Sequence, residues 1–313
     1  YLLERKKYTD KKYIVIPGWG CPIILAVISE AGFIPLLLDV NPHTLKMNIN
    51  EINGVIQNYD VDTIVLVNEN GIAYTKNELE SLNKTKASVI FDNCLAWQNR
   101  EKLNYIDEFP EFYSGGFSKP ISGLGLGILA INQNKPNATS FDNPFSIKDF
   151  SLLFAHIFMQ APFIYSLIQK YIPADIQTKY KDYGLIPNNR SISVVKNSLD
   201  RVNHTKSKWA DLQKEIKNIF VNRNISSTLS INSSFLQSKI VLEKSKVIEK
   251  KQAPIEFHLQ YTYDIRKDKR VKLLDSNYEN IEDLRNIYVS FAINLNTIKN
   301  DKKIIQKLKK SLV

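Results

Sequence analysis

Three residue types in the first half of the chain stand where their side chains could act together. Asp92 directly follows the apolar run Ser88–Phe91, and Tyr113-Ser114-Gly115-Gly116-Phe117-Ser118-Lys119-Pro120 continues from a second run, Glu111–Ser114. Runs of this kind suit strands, and open α/β sheets present ligand-binding groups at the carboxyl ends of their strands. A lysine amine can condense with a carbonyl and, once freed, serve as a general base. A carboxylate can keep a proton on a heterocyclic nitrogen, and hydroxyl and backbone donors can cradle a phosphate. Asp92, Ser114 and Lys119 supply these groups, and Gly123, Gly125 and Gly127 come next.

Pyridoxal phosphate is one group whose chemistry would need an amine, a carboxylate and a phosphate cradle together. Singly, each residue also has an ordinary structural use. A strand-end Asp caps helices and forms turns, a lysine is by default solvated, and glycines permit tight backbone geometry. Their order and spacing carry the chemical reading.

The elements that must position these residues are legible from Tyr13 to about Asn132. Short apolar runs, Tyr13–Ile16, Phe33–Val40, Thr63–Val67, Ser88–Phe91, Glu111–Ser114 and Gly127–Ile131, alternate with helical stretches. Strands buried on both faces need no polar alternation, so residues 1–135 read as a layered α/β domain with a mostly parallel sheet. Pro22–Ala31 is one of its helices, ended by Gly32 where a left-handed cap is favoured. Residues 136–220 read as a linker and helical region. Gln133–Pro144 is a loop by composition, and Leu152–Ile168, interrupted by His156, Gln160 and Pro162, is a buried helix or dimer contact rather than a membrane span, which needs about 20 apolar residues. Ser193–Phe220 and Asp301–Leu312 have amphipathic helical spacing, and Phe257–Tyr263 and Ile287–Leu295 are strand-like. Residues 221–313 accordingly read as a smaller α+β domain.

Composition narrows the function classes. With 43% hydrophobic residues in 313, the chain has ample material for a core. Cys21 and Cys94 are too few for a disulfide framework or a four-ligand zinc site, and they fit a cytoplasmic setting. The net charge of +10 is spread along the chain, apart from the cluster Lys299, Lys302, Lys303, Lys307, Lys309 and Lys310, and no nucleic-acid-binding motif accompanies it. His43, His156, His204 and His258 fall at no metal spacing, GLGLG lacks the lysine and hydroxyl of a P-loop, and GxSxG is missing. The reading is of a protein without metal, nucleic-acid or membrane partners.

The chain resembles the DegT/DnrJ/StrS family of pyridoxal-phosphate sugar aminotransferases. The resemblance begins in Ile14-Val15-Ile16-Pro17-Gly18-Trp19-Gly20-Cys21-Pro22, runs through Ala31-Gly32-Phe33-Ile34-Pro35-Leu36-Leu37-Leu38-Asp39-Val40, and continues in Val89-Ile90-Phe91-Asp92-Asn93-Cys94 and Tyr113–Gly127. It implies the type I aminotransferase fold, an α/β architecture whose mostly parallel large-domain sheet is joined by a smaller α+β C-terminal domain. It also implies a nucleotide-linked keto-sugar substrate, an amino-acid amino donor such as glutamate, and pyridoxal 5'-phosphate as cofactor. On the matching positions, Lys119 holds the cofactor and acts as general base, Asp92 faces the pyridine nitrogen and Ser114 binds phosphate. Asn188-Asn189-Arg190 is similar to a family segment whose Asn reaches the cofactor phosphate of the neighbouring subunit, so Asn188 inherits that role and a homodimer is implied.

The departures define a rival reading. Leu95 stands where the family carries Gln or His against the cofactor's phenolic oxygen, and Leu126 replaces an expected glycine. Cys21 falls near the place of the aromatic that stacks on the pyridine ring, with Trp19 nearby either as a substitute or as a core residue. The family's first segment, with a small-residue phosphate-binding turn, has no counterpart before Tyr1. These features leave open a catalytically inactive aminotransferase-like binding or partner subunit. A second alternative is a related enzyme acting on an amino acid.

Overall fold

The structure, a computed structural model, describes residues 1–69, 74–82, 85–94, 96–98, 109–114, 127–130, 189–225, 227, 235–237, 239–248, 263–274, 278–286, 288–292 and 301–313. The loop expected at 133–144, the apolar segment 152–168 and nearly all of the strand expected at 257–263 lie outside them.

Contiguous β-favouring residues form the strands β1 (Tyr13–Pro17), β2 (Ile34–Leu38), β3 (Val61–Val67), β4 (Ser88–Asp92), β5 (Ala96–Gln98), β6 (Glu111–Ser114) and β7 (Gly127–Ala130). The later strands are β8 (Phe235–Gln237), β9 (Lys239–Glu243), β10 (Lys272–Leu273) and β11 (Tyr288–Ala292). Seven of them make one sheet in the order β10-β2-β1-β3-β4-β6-β7. Its neighbours run parallel except β6 and β7, where Ser114 faces Gly127.

Because successive side chains on a strand point to opposite faces, the sheet feeds two cores. Val15, Leu36, Leu38, Ile64, Leu66, Val89 and Phe91 enter one, with Ile52 and Val55 from helix α3 (Ile49–Asn58). Ile14, Ile16, Leu37, Val65, Val67 and Ile90 enter the other, with Leu25 and Ile28 from helix α2 (Ile23–Glu30). Each fully buried aliphatic side chain contributes about 1.5–3 kcal/mol by leaving water. Helix α2 ends as expected: Gly32 takes φ +79°, its N–H donates to Ser29 O at 2.9 Å, and the Phe33 N–H returns to Ile28 O at 3.1 Å.

The C-terminal stretch divides between two places. An amphipathic helix, Asn189–Asn222, buries Val202, Trp209, Leu212, Ile216, Ile219 and Phe220 against Ile240 and Leu242 of β9, Val289 of β11 and the terminal helix Asp301–Ser311. Strands β9 and β11 pair antiparallel beneath it. Residues 263–274 and 278–286, within the stretch read as the small domain, pack on the large sheet. Lys272 and Leu273 pair with Leu36 and Leu37, Ile265 enters one core, and Ile281 and Leu284 of the helix Glu279–Asn286 enter the other. A two-residue edge strand carries too little pattern to be seen in a sequence, and this one forms only because β2 offers an open edge. Among the described residues no helix is long and apolar enough to cross a membrane.

Candidate active site

The parallel strands end together along one edge of the sheet. Pro17 is level with Leu38, Val67 with Asp92, and Asp92 with Phe112. Residues immediately beyond these positions are released from strand pairing while remaining held by a rigid scaffold, the arrangement on which binding groups are commonly built.

Asp92 and Ser114 both stand at this edge. Both are half-buried. Alternation puts Asp92 on the face of Ile90 and Ser114 on the face of Phe112, and both Ile90 and Phe112 pack into the same core. The two side chains therefore lie on one face of adjacent strands, Ser114 two positions beyond the residue paired with Asp92. Asp92 Oδ1 accepts the Cys94 N–H at 2.8 Å, a turn that orients the carboxylate. Opposite Ser114, a side chain added at Gly127 would meet no atom of the described residues within 4 Å. A half-buried, oriented carboxylate and a hydroxyl on the same face are the groups that the pyridine nitrogen and phosphate of the cofactor implied by the sequence would need.

Trp19 and Cys21 take a different position. Trp19 is 3% exposed and packs with Leu38, Val40 and Ile281 in the core of the opposite face, and Cys21 is half-buried against that same core. Gly18 makes this packing possible. Its N–H donates to Leu38 O at 2.7 Å, and a side chain there would overlap Ile281 Cδ1. Lys119 and Asn188 lie outside the described residues, as does Leu95.

Behind Asp92 runs a buried polar chain that sequence reasoning did not single out. Asn68 Nδ2 donates to Asn93 Oδ1 at 2.5 Å, Asn93 Nδ2 donates to Glu111 Oε2 at 3.1 Å, and the Tyr113 hydroxyl donates to the same Glu111 oxygen. Asn68, Asn93, Glu111 and Tyr113 are 0%, 2%, 3% and 8% exposed. Buried polar groups of this kind persist only when hydrogen-bonded to one another. The available signal was that Asn68 and Asn93 each stand directly after the last residue of a strand whose middle is apolar.

Just past the carboxyl end of β2, Asp39 accepts the N–H groups of Val40, Asn280 and Ile281 at 2.9, 3.2 and 3.2 Å, tying the helix Glu279–Asn286 to this edge. Burial pushes the Asp39 carboxyl above the ordinary aspartate value and outweighs those three donors. A cavity of about 490 Å³ lined by Lys11, Asn53, Tyr59 and Lys86 lies instead at the amino-terminal end of β3, away from these groups. Among the described residues no group of three or more His, Cys, Asp or Glu could hold a metal ion.

No family model and no curated protein matches the sequence. Solved structures do match in fold. A DegT DnrJ EryC1 StrS aminotransferase from Brucella abortus superposes with a TM-score of 0.67 at 13% identity, over 98% of this chain and 81% of that one. GDP-4-keto-6-deoxy-D-mannose-3-dehydratase of E. coli, with bound hydrated PLP, gives 0.64 at 13% identity, over 98% and 84%. A GDP-4-keto-6-deoxymannose-3-dehydratase with a trapped PLP-glutamate geminal diamine gives 0.65 at 15% identity, over 97% and 85%. Strand order, the level carboxyl edge and these superpositions agree: the chain has the type I aminotransferase fold, and its structural neighbours include the DegT/DnrJ/EryC1/StrS aminotransferases that its sequence resembles.

Proposed function

We propose that this chain is a pyridoxal-phosphate-dependent aminotransferase acting on a nucleotide-linked keto-sugar, with an amino acid as amino donor. The observation that carries the reading is the placement of Asp92 and Ser114 on one face of adjacent strands at the carboxyl edge, with Lys119 following Ser114 along the chain. When bound, pyridoxal phosphate supplies an electron sink for carbanion chemistry. The Asp92 carboxylate holds a proton on the pyridine nitrogen, the Ser114 hydroxyl donates to a phosphate oxygen, and Lys119 Nζ secures the cofactor and moves the proton at the substrate carbon. The nucleotide-sugar dehydratases among the structural neighbours support a sugar nucleotide as substrate, and the glutamate trapped in one of them supports an amino-acid donor.

The same reading pairs two copies of the chain, with Asn188 of one reaching the phosphate bound by the other. It assigns residues 1–135 to cofactor binding, 136–220 to the connection and 221–313 to a smaller domain that lends 263–274 and 278–286 to the large sheet, in a cytoplasmic protein whose Cys21 and Cys94 stay reduced.

One observation favours the alternative, an inactive partner subunit. Trp19 is spent in the opposite core and Cys21 packs against it, so neither stands with Asp92 as a stacking aromatic. The absorption spectrum with pyridoxal phosphate decides. A borohydride-reducible visible band that disappears in Lys119→Ala, followed by turnover of a keto-sugar nucleotide with glutamate, supports the enzyme. Identical spectra for the two proteins support the partner subunit.

A further inference from the structure

The peptide that joins Asp92 to Asn93 is held from both sides. Its carbonyl accepts the Asn68 N–H at 3.0 Å, and its N–H donates to Phe112 O at 2.9 Å, so it is tied to the extension of β3 on one flank and to β6 on the other. The Asn93 side chain repeats the same bridge one layer away, accepting from Asn68 Nδ2 and donating to Glu111 Oε2 of β6. The next amide, Cys94 N–H, is the one that orients the Asp92 carboxylate. Rotation of the Asn93 backbone would therefore turn the carboxylate, and the side-chain bridge opposes that rotation.

The geometry points to Asn93 as a positioning residue for Asp92. Its carboxamide matches its neighbours in both directions: it needs an acceptor toward Asn68 and a donor toward Glu111, and only an amide of this length presents both. An aliphatic side chain here would leave the Glu111 carboxylate and the Asn68 amide buried without this partner. The bridge lies on the face opposite Asp92, so it acts on the carboxylate through the backbone and leaves the cofactor side open.

The test begins on cofactor-free protein, where it does not depend on the proposed reaction. In Asn93→Ala, amide hydrogen exchange at Asn68 and Cys94 accelerates about tenfold, the equivalent of one lost buried hydrogen bond. With pyridoxal phosphate added, the same variant binds about tenfold more weakly than wild type, and the pH midpoint of its absorption is displaced from the wild-type midpoint. Asn93→Ser, which keeps an acceptor toward Asn68 and is the milder change, gives an intermediate result and serves if the alanine variant does not fold. Thermal unfolding confirms that each variant is folded. Wild-type exchange at Cys94 in either folded variant overturns the inference. Accelerated exchange in the variants, together with a wild-type protein that binds no pyridoxal phosphate, sustains the hold of Asn93 on Asp92 and overturns the proposed function instead.

Discussion

The sheet and the C-terminal core solve the burial problem differently. The sheet is covered on both faces and keeps acidic groups inside: Asp62, Glu69 and Glu111 are 1%, 2% and 3% exposed. The core around the helix Asn189–Asn222 buries Ser198, Gln213 and Ser311 beside aliphatic and aromatic side chains. A buried charge is costly unless paired, and the sheet supplies partners because parallel strands bring distant residues level at their ends. Asn68, Asp92, Asn93 and Ser114 collect at the carboxyl edge, whereas the C-terminal core is dominated by aliphatic and aromatic side chains.

Substitutions can break or sharpen this contrast. The largest effect is expected at Lys119→Ala, where aminotransferase turnover falls by about 10²–10⁴-fold or more, with little change in melting temperature. Retained turnover at the wild-type rate would sever the link between the sheet edge and chemistry. Next is Trp209→Ala, 1% exposed in the native core, with an expected loss of about 3–5 kcal/mol by denaturant unfolding. Its folded fraction keeps the cofactor absorption band; a lost band would show that the two regions do not divide the labour in this way.

A smaller effect comes from the pair of Arg5 and Asp62, joined by two hydrogen bonds of 2.8 and 2.9 Å. Burial works to raise the Asp62 carboxyl, but the hydrogen bonds and charge of Arg5, aided by Thr63, prevail and hold it below the ordinary aspartate value. A depressed folded pKa means that the stabilisation is complete above the unfolded value, about 3.9, and fades as pH falls through the folded one. Arg5→Ala should cost about 1–3 kcal/mol at neutral pH, and should flatten the decline in melting temperature below about pH 4. The smallest effect is expected at Thr75→Ala, which removes the reciprocal cap with Glu78 on the helix Lys76–Glu80 and costs about 1 kcal/mol.

Much of the sheet was legible beforehand, and the reason is local. Strands buried on both faces favour apolar and aromatic residues over polar alternation, and Tyr13–Pro17, Ser88–Asp92 and Glu111–Ser114 fall within a residue of the runs that announced them. Asp92 and Ser114 were visible because a polar side chain directly after such a run must lie at a strand end. Asn68 directly follows such a run and Asn93 stands one residue further on, yet their significance depends on Asn93 bonding both Asn68 and Glu111, and nothing in the spacing of the three positions foretells those contacts.

By itself, the sequence determined which segments become strands and helices, where Gly32 ends its helix, and which polar residues stand at strand ends. These follow from side-chain volume, branching and backbone freedom, which act within a few residues. Tertiary structure alone decided that Trp19 turns into the core opposite Asp92, that Lys272 and Leu273 extend the sheet beside β2, and that Asn93 bridges Asn68 to Glu111. Each of these depends on register between residues far apart in the chain, and register is set only when the two cores close.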